Sequence, residues 1–255
     1  MGVFYNYKIV KSGELVEVWK HSVPISGKSG LNEGTEKRSF DDLNAQEQLE
    51  SIKRKQKYYN KKRWEIKRLV DENLDNNTKF FTLTFKENIQ DIDIANREFK
   101  KFIQRLNRLV KVKMKWDYKY LATWEKQKRG AIHYHIILFN FPFINAKKLE
   151  EIWGHGFIKI NDISKVDKAQ NVGRYVSKYF GKDLDIKEHK KKAYFSSRNL
   201  SKPVEINKFS EKDDIEIKNS IFQKEYSIKR IDNKGETFDD NVEYYVIPVD
   251  LFEWF

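Results

Sequence analysis

The stretch Tyr118-Lys119-Tyr120-Leu121-Ala122-Thr123-Trp124-Glu125, then Lys126-Gln127-Lys128-Arg129-Gly130, then Ala131-Ile132-His133-Tyr134-His135-Ile136-Ile137-Leu138-Phe139 decides how this sequence is read. Two runs rich in aromatic and β-branched residues flank a short polar connector, the pattern of a β-hairpin. With the turn centred near Arg129, Glu125 falls opposite His133, Thr123 opposite His135 and Leu121 opposite Ile137. The other face then pairs Trp124 with Tyr134 and Ala122 with Ile136. Alternate residues of a strand share a face, and directly paired residues share it across strands. The register therefore gathers Glu125, His133 and His135 on one side and leaves the aromatic and aliphatic residues on the other. Two imidazoles and a carboxylate are a known donor set for divalent transition metals. Imidazole suits Mn²⁺ better than Mg²⁺, so Mn²⁺ is the first expectation and Mg²⁺ the physiological substitute. The His-x-His letters alone are a weak signal, since chance strand pairs produce them too.

Outward from the hairpin, the order of elements sets the fold class. Phe80 to Phe85 alternates as a strand, and a helix with Phe99, Phe102, Ile103, Leu106 and Val110 on one face follows. After the hairpin come a short helix near 146–153, a strand over Gly156–Ile160 and a helix over 168–181 closed by Gly181. This order predicts an α+β fold, a central antiparallel sheet with flanking helices on one face, in the manner of ferredoxin-like and RRM-like sandwiches. Weaker patterns predict a strand at Ala193–Ser197, a helix near 210–223 and strands at Tyr226–Ile231 and Val242–Val249. At the start, Val3–Val10 and Leu15–Lys20 form a hairpin around Lys11-Ser12-Gly13-Glu14, and a Ser/Gly/Asn-rich loop fills roughly 22–45. Gly27-Lys28-Ser29 resembles the end of a phosphate-binding loop, but that pattern needs a glycine where Ser22 stands. The expected organisation is residues 1–45 as hairpin and loop, 46–76 as a basic helix, 77–205 as the core and 206–255 as an extension.

Composition narrows the function classes. The 255 residues carry a net charge of +12 and no cysteine, which excludes disulfides, thiolate zinc sites and a cysteine nucleophile. The 15% aromatic content argues against a disordered chain. No apolar run approaches a membrane span, the first residues lack a signal-peptide pattern, and Asn6 breaks the Gly2 myristoylation pattern. The expectation is a cytoplasmic protein with no membrane partner and nucleic acid as the leading partner class. Residues 46–72 have helical periodicity, with Leu49, Ile52, Tyr59, Ile66 and Val70 near one face. Residues 51–70 hold nine basic residues against Glu65 alone, a net +8. With Tyr58, Tyr59 and Trp64 interleaved, Lys53, Arg54, Lys57, Lys61, Lys62 and Arg63 read either as a solvated face or as a DNA contact.

Downstream, Asn171-Val172-Gly173-Arg174-Tyr175-Val176-Ser177-Lys178-Tyr179-Phe180 places Tyr175 and Tyr179 four apart on a helix, with Lys178 one turn from Tyr175. By themselves the tyrosines fit core packing beside Val172 and Val176; the lysine does not. The alternating Thr-containing strand Phe80–Phe85, then His133-Tyr134-His135, then Tyr175-Val176-Ser177-Lys178, in this order, resembles the HUH endonuclease superfamily, specifically rolling-circle replication initiators of phage or plasmid type. The resemblance covers about residues 77–205, and Tyr175-x-x-x-Tyr179 is similar to the two-tyrosine initiators of small single-stranded DNA phages.

The resemblance implies a nickase and strand transferase. A metal on His133, His135 and Glu125 would hold the scissile phosphate of single-stranded DNA at an origin hairpin, and Tyr175 would attack it. Lys178 would steady the phenolate, contact the phosphate or aid proton transfer. Tyr179 would either perform a second cleavage or serve structure alone. Arg174 would contact phosphate or stand exposed. The chain has no Walker pattern, so strand separation and synthesis are expected from a separate host helicase and polymerase. His155 reads as a loop histidine or one that approaches the site, and Thr82 and Thr84 as lining the cleft or facing solvent. Arg129 sits at the hairpin tip, while His21 and His189 have no evident partner. The competing readings are a relaxase or transposase of the same superfamily, a non-catalytic RRM-like nucleic-acid-binding module, and a DNA-packaging protein.

Overall fold

The computed structural model describes residues 4–26, 39–161, 163, 194–211, 217–231 and 235–252. In chain order the elements are β1 (Phe4–Ser12), β2 (Leu15–Ser26), α1 (Ala45–Asn73), β3 (Lys79–Thr84), α2 (Ile92–Asn107), β4 (Lys119–Lys126) and β5 (Ile132–Phe139). They continue with α3 (Ala146–Trp153), β6 (Ile158–Asn161), β7 (Phe195–Ser196), β8 (Val204–Lys208), β9 (Phe222–Ile231) and β10 (Thr237–Pro248). The chain divides into two compact units, one of Leu49–Ser201 and one of Met1–Gln48 with Lys202–Phe255. Each has a five-stranded antiparallel sheet, so the fold is α+β.

In the unit Leu49–Ser201 the strand order is β6-β3-β5-β4-β7. The central strand β5 is buried along its whole length, because both of its faces are covered. Ile132, Tyr134, Ile136 and Leu138 join Phe81, Leu83 and Trp124 under α2 and α3. Helix α2 lays down Ala95, Phe99, Phe102, Ile103 and Leu106 at helical spacing, and Asp91 caps its first turn by accepting from the amides of Asp93 and Ile94. Helix α3 spans the predicted 146–153, capped by Asn145 at one end and by Gly154 at φ 75° at the other.

The opposite face corrects the expectation of helices on one side only. There Ile66 and Val70 of α1 pack on Phe80, Leu121, Ile137 and Phe139. The periodicity of α1 is right, but only its C-terminal half is buried; Leu49 and Ile52 are 45% and 52% exposed. Sequence spacing shows which residues share a face, not how far the partner surface reaches.

The second unit orders its strands β8-β1-β2-β10-β9, with Tyr7, Ile9, Val16, Val18, Tyr245 and Ile247 forming a core on one face. Three expectations change here. Strand β2 runs on to Ser26, past the predicted loop start near 22. The helix near 210–223 is not formed on its described residues, where 217–221 are irregular and Phe222 begins β9. At its end the cause is tertiary, since Phe222 and Gln223 pair with Val246 and Tyr245 of β10 and Ile221 N donates to Val246 O. The first expected partner strand of that pair, Tyr226–Ile231, therefore begins four residues early. The predicted helix 168–181 lies outside the described residues.

Candidate metal centre

The hairpin pairs as the pattern predicted: Glu125 with His133, Thr123 with His135, Leu121 with Ile137, Trp124 with Tyr134 and Ala122 with Ile136. The turn over residues 127–130 is closed by Gln127 N donating to Ala131 O and Gly130 N to Gln127 O, with Gly130 at φ 85°.

That register brings the three side chains together. Glu125 Oε1 lies 2.6 Å from His133 Nε2 and 3.1 Å from His135 Nε2. The ligand atoms of Glu125, His133 and His135 all fall within 4.8 Å of one another, close enough to share one ion. Both histidines are buried and the carboxylate nearly so. Burial pushes the Glu125 carboxyl up, but hydrogen bonds from His133 and His135 outweigh it and hold the group far below the usual carboxylate range. Glu125 therefore stays an anion, as a metal ligand must. Its Oε2 is buried and has no hydrogen-bond partner among the described residues. An orphaned buried oxygen beside two convergent imidazole nitrogens fits a divalent cation.

Outer groups hold the imidazoles. Thr82, paired with His135 in the β3–β5 ladder, places Oγ1 3.1 Å from His135 Nδ1 and accepts from Asn161 Nδ2 at 3.2 Å. With Nε2 given to a metal, Nδ1 carries the proton and donates to the Thr82 hydroxyl, the usual outer-shell arrangement of a ligating histidine. The Gln127 amide lies 3.2 Å from His133 Nδ1. Phe80 stacks on His135 at 5.9 Å between centroids. Thr84 donates its hydroxyl to Phe157 O, and its carbonyl accepts from Trp153 Nε1 at 2.8 Å. Gly156 is required beside it, because a Cβ there would come within 2.3 Å of Thr84 O.

Other candidates are placed elsewhere. His155 pairs with Glu98 at 3.0 Å and packs against Phe85 and Trp153, on the helix-covered side rather than with the triad. Arg129 donates to Phe85 O at 3.1 Å and to Gln127 Oε1 at 3.2 Å, which ties the hairpin tip to β3. His21, with no evident partner in the sequence, meets buried Asp240 at 2.8 Å, and Arg230 donates to the same carboxylate at 2.6 Å. The spacing of 219 residues hides this cluster from sequence reading. On α1, Lys53, Arg54, Lys57, Lys61 and Arg63 are exposed, whereas Lys62 is ion-paired with Glu65 at 2.7 Å. Arg174, Tyr175, Lys178, Tyr179 and His189 lie outside the described residues.

The units also divide the charge. Residues 49–201 hold 36 basic and 18 acidic residues, a net +18, against 14 and 20 in the rest, a net −6. The total of +12 conceals this, and only the fold shows which segments belong together.

Residues 78–184 match the family model of the replication-associated protein ORF2/G2P. The ORF2/G2P match contains Thr82, Glu125, His133 and His135, and also Tyr175, Lys178 and Tyr179. A curated relative, the phasyl DNA replicon protein arp of Escherichia coli, is 26% identical over 147 residues, covering 48% of this chain and 49% of the relative. The chain thus spans about half the length of that relative. Both findings liken the chain to proteins named for replication. No solved structure matches the chain. No described helix is long and apolar enough to cross a membrane.

Proposed function

We propose that this protein nicks and rejoins single-stranded DNA at a replication origin, by a metal-dependent transfer of the strand to tyrosine, and so initiates rolling-circle replication. The observation that carries the reading is the convergence of Glu125, His133 and His135 inside the stretch that matches a replication-associated family. Mn²⁺ or Mg²⁺ held by these three residues supplies electrophilic polarisation of the scissile phosphate.

Glu125 contributes the negative charge of the site, and Thr82 and Gln127 orient the two imidazoles. Tyr175 is the nucleophile. As its Oη bonds to phosphorus, the phenol proton leaves, the P–O3′ bond breaks and the O3′ takes up a proton. The products are a 5′-phosphotyrosine and a free 3′-OH. The phenol, with an ordinary pKa near 10, needs a nearby cation to ionise at neutral pH, which is the role given to Lys178. The phosphodiester energy is retained in the covalent linkage, so a 3′-OH rejoins the strand by the reverse step without ATP. Tyr179 carries a second transfer while Tyr175 is occupied. The exposed bases of α1 and Arg174 hold flanking phosphates. Tyr175 after the histidines in the chain disfavours the relaxase order, and a silent binding module has no use for a largely enclosed carboxylate between two histidines.

The test is incubation with single-stranded oligonucleotides, including the parent replicon's origin, and Mn²⁺, followed by denaturing gel electrophoresis. A covalent protein–DNA band lost in EDTA and in Tyr175→Phe is expected. Its absence with every oligonucleotide, the origin included, overturns the nickase reading in favour of a binding module.

A further inference from the structure

The outer side of α2 and the π-helical turn that extends it, Arg108–Lys113, lie in a second concentration of positive charge. Between Arg97 and Lys119 stand nine basic residues and two acidic ones, a net +7. This run lies across the sheet from the triad, because α2 packs on the face that carries Tyr134 and Trp124. The hairpin strands connect the two places. From His133 to Asn140 is seven residues, roughly 23 Å of strand.

At that far end the backbone is held in an uncommon conformation. Lys115 has φ 56° and Asn140 φ 47°, both in the left-handed region without being glycine. Trp116 joins them, its Nε1 donating to Asn140 O at 2.7 Å and its backbone amide to Val110 O at 3.0 Å. Backbone of this kind persists where its surroundings fix it, and it gathers at surfaces that grip ligands, as π turns do. Trp116 is 40% exposed, and Phe143, three residues beyond Asn140, is 88% exposed. Lys113 and Lys115 are exposed and have no side-chain partner among the described residues. Lys111, by contrast, is taken by Asp117 at 2.7 Å.

We infer that this end of the unit is a second binding surface for single-stranded nucleic acid, separate from the triad. Trp116 and Phe143 present rings to unpaired bases, and Arg108, Lys113 and Lys115 neutralise the phosphates between them. Exposed rings interleaved with unpaired cations are what single strands select, since every base has a face to stack and every nucleotide a charge. The inference rests on the reading that this unit handles single-stranded DNA, and it adds a place that grips the strand away from the cleavage point.

The test is fluorescence anisotropy of labelled dT30 with the full chain in EDTA, comparing wild type, Lys113→Gln/Lys115→Gln and Phe143→Ser, with circular dichroism to verify folding. The double lysine variant is expected to bind about tenfold more weakly. Its log K against log salt is expected to be shallower by about 1.4, the share of two phosphate contacts on a single strand. Phe143→Ser is expected to lose several-fold in affinity with an unchanged salt slope. Wild-type affinity and slope in folded variants overturn the inference. So does a loss confined to phosphatidylserine vesicles, which would assign the patch to a lipid surface. Because these measurements need neither metal nor cleavage, absence of the tyrosine–DNA adduct would remove the nickase reading and leave this result standing.

Discussion

Replacing Thr82 by valine tests how the metal centre is built. The side chain is nearly isosteric, and β-branched residues suit the strand, so the β3–β5 pairing with His135 and the β3–β6 pairing with Lys159 should survive. What is lost is the hydroxyl 3.1 Å from His135 Nδ1 and 3.2 Å from Asn161 Nδ2. That hydroxyl accepts from Nδ1–H when the metal is bound and so favours the tautomer that turns Nε2 toward Glu125. Loss of an outer-shell partner of this kind weakens metal affinity about 10–100-fold, or roughly 1.4–2.7 kcal/mol. Stability should fall separately by about 1–3 kcal/mol, because buried His135 and half-buried Asn161 each lose this hydroxyl as a partner. Titration of Mn²⁺ by calorimetry into wild type, Thr82→Val and Thr82→Ser separates these effects. The serine variant should recover most of the affinity. A folded Thr82→Val variant that binds Mn²⁺ as tightly as wild type would refute a role for the Thr82 hydroxyl in orienting His135.

Further outcomes follow from the same geometry. His155→Ala should leave Mn²⁺ affinity within about twofold of wild type by the same titration, because its partner is Glu98 and not the triad. Gly156→Ala should lower the melting temperature by roughly 4–8 °C in a thermal scan. A Cβ 2.3 Å from Thr84 O and 2.9 Å from Lys86 N forces β3 and its neighbour apart, at a cost of about 2 kcal/mol. Acid should destabilise the fold through the His21–Asp240–Arg230 cluster. Burial lowers the folded pKa of His21, so the unfolded chain takes up its proton first and stability falls as pH drops through the ordinary histidine range. Burial raises Asp240, but hydrogen bonds from His21 and Arg230 outweigh it and lower the group overall. Its contribution is present above the ordinary carboxylate pKa and is lost as pH falls through the lowered one. Denaturant melts between pH 7 and pH 4 should therefore show a loss that His21→Gln reduces above pH 5; equal pH slopes would refute it.

The hairpin is legible in the sequence because its information is local. Strand alternation and a short glycine-ended turn leave little freedom in register, so the residue pattern alone puts Glu125, His133 and His135 on one face. The same holds for α2 and α3, whose apolar spacing and caps lie within a few residues. The alternating strand Phe80–Phe85 is legible in the same way, as β3. What the chain alone does not determine depends on distant segments. Burial of Ile66 and Val70 but not Leu49 and Ile52 depends on how far the sheet reaches beneath α1. The strand at Phe222 in place of a helix comes from pairing with β10, and Asp240 meets His21 only because β10 lies beside β2. The tertiary structure also decides that residues 1–48 and 202–255 form one acidic unit and leaves the positive charge on the other. Local pattern fixes which face a side chain takes; only packing between remote segments fixes what that face meets.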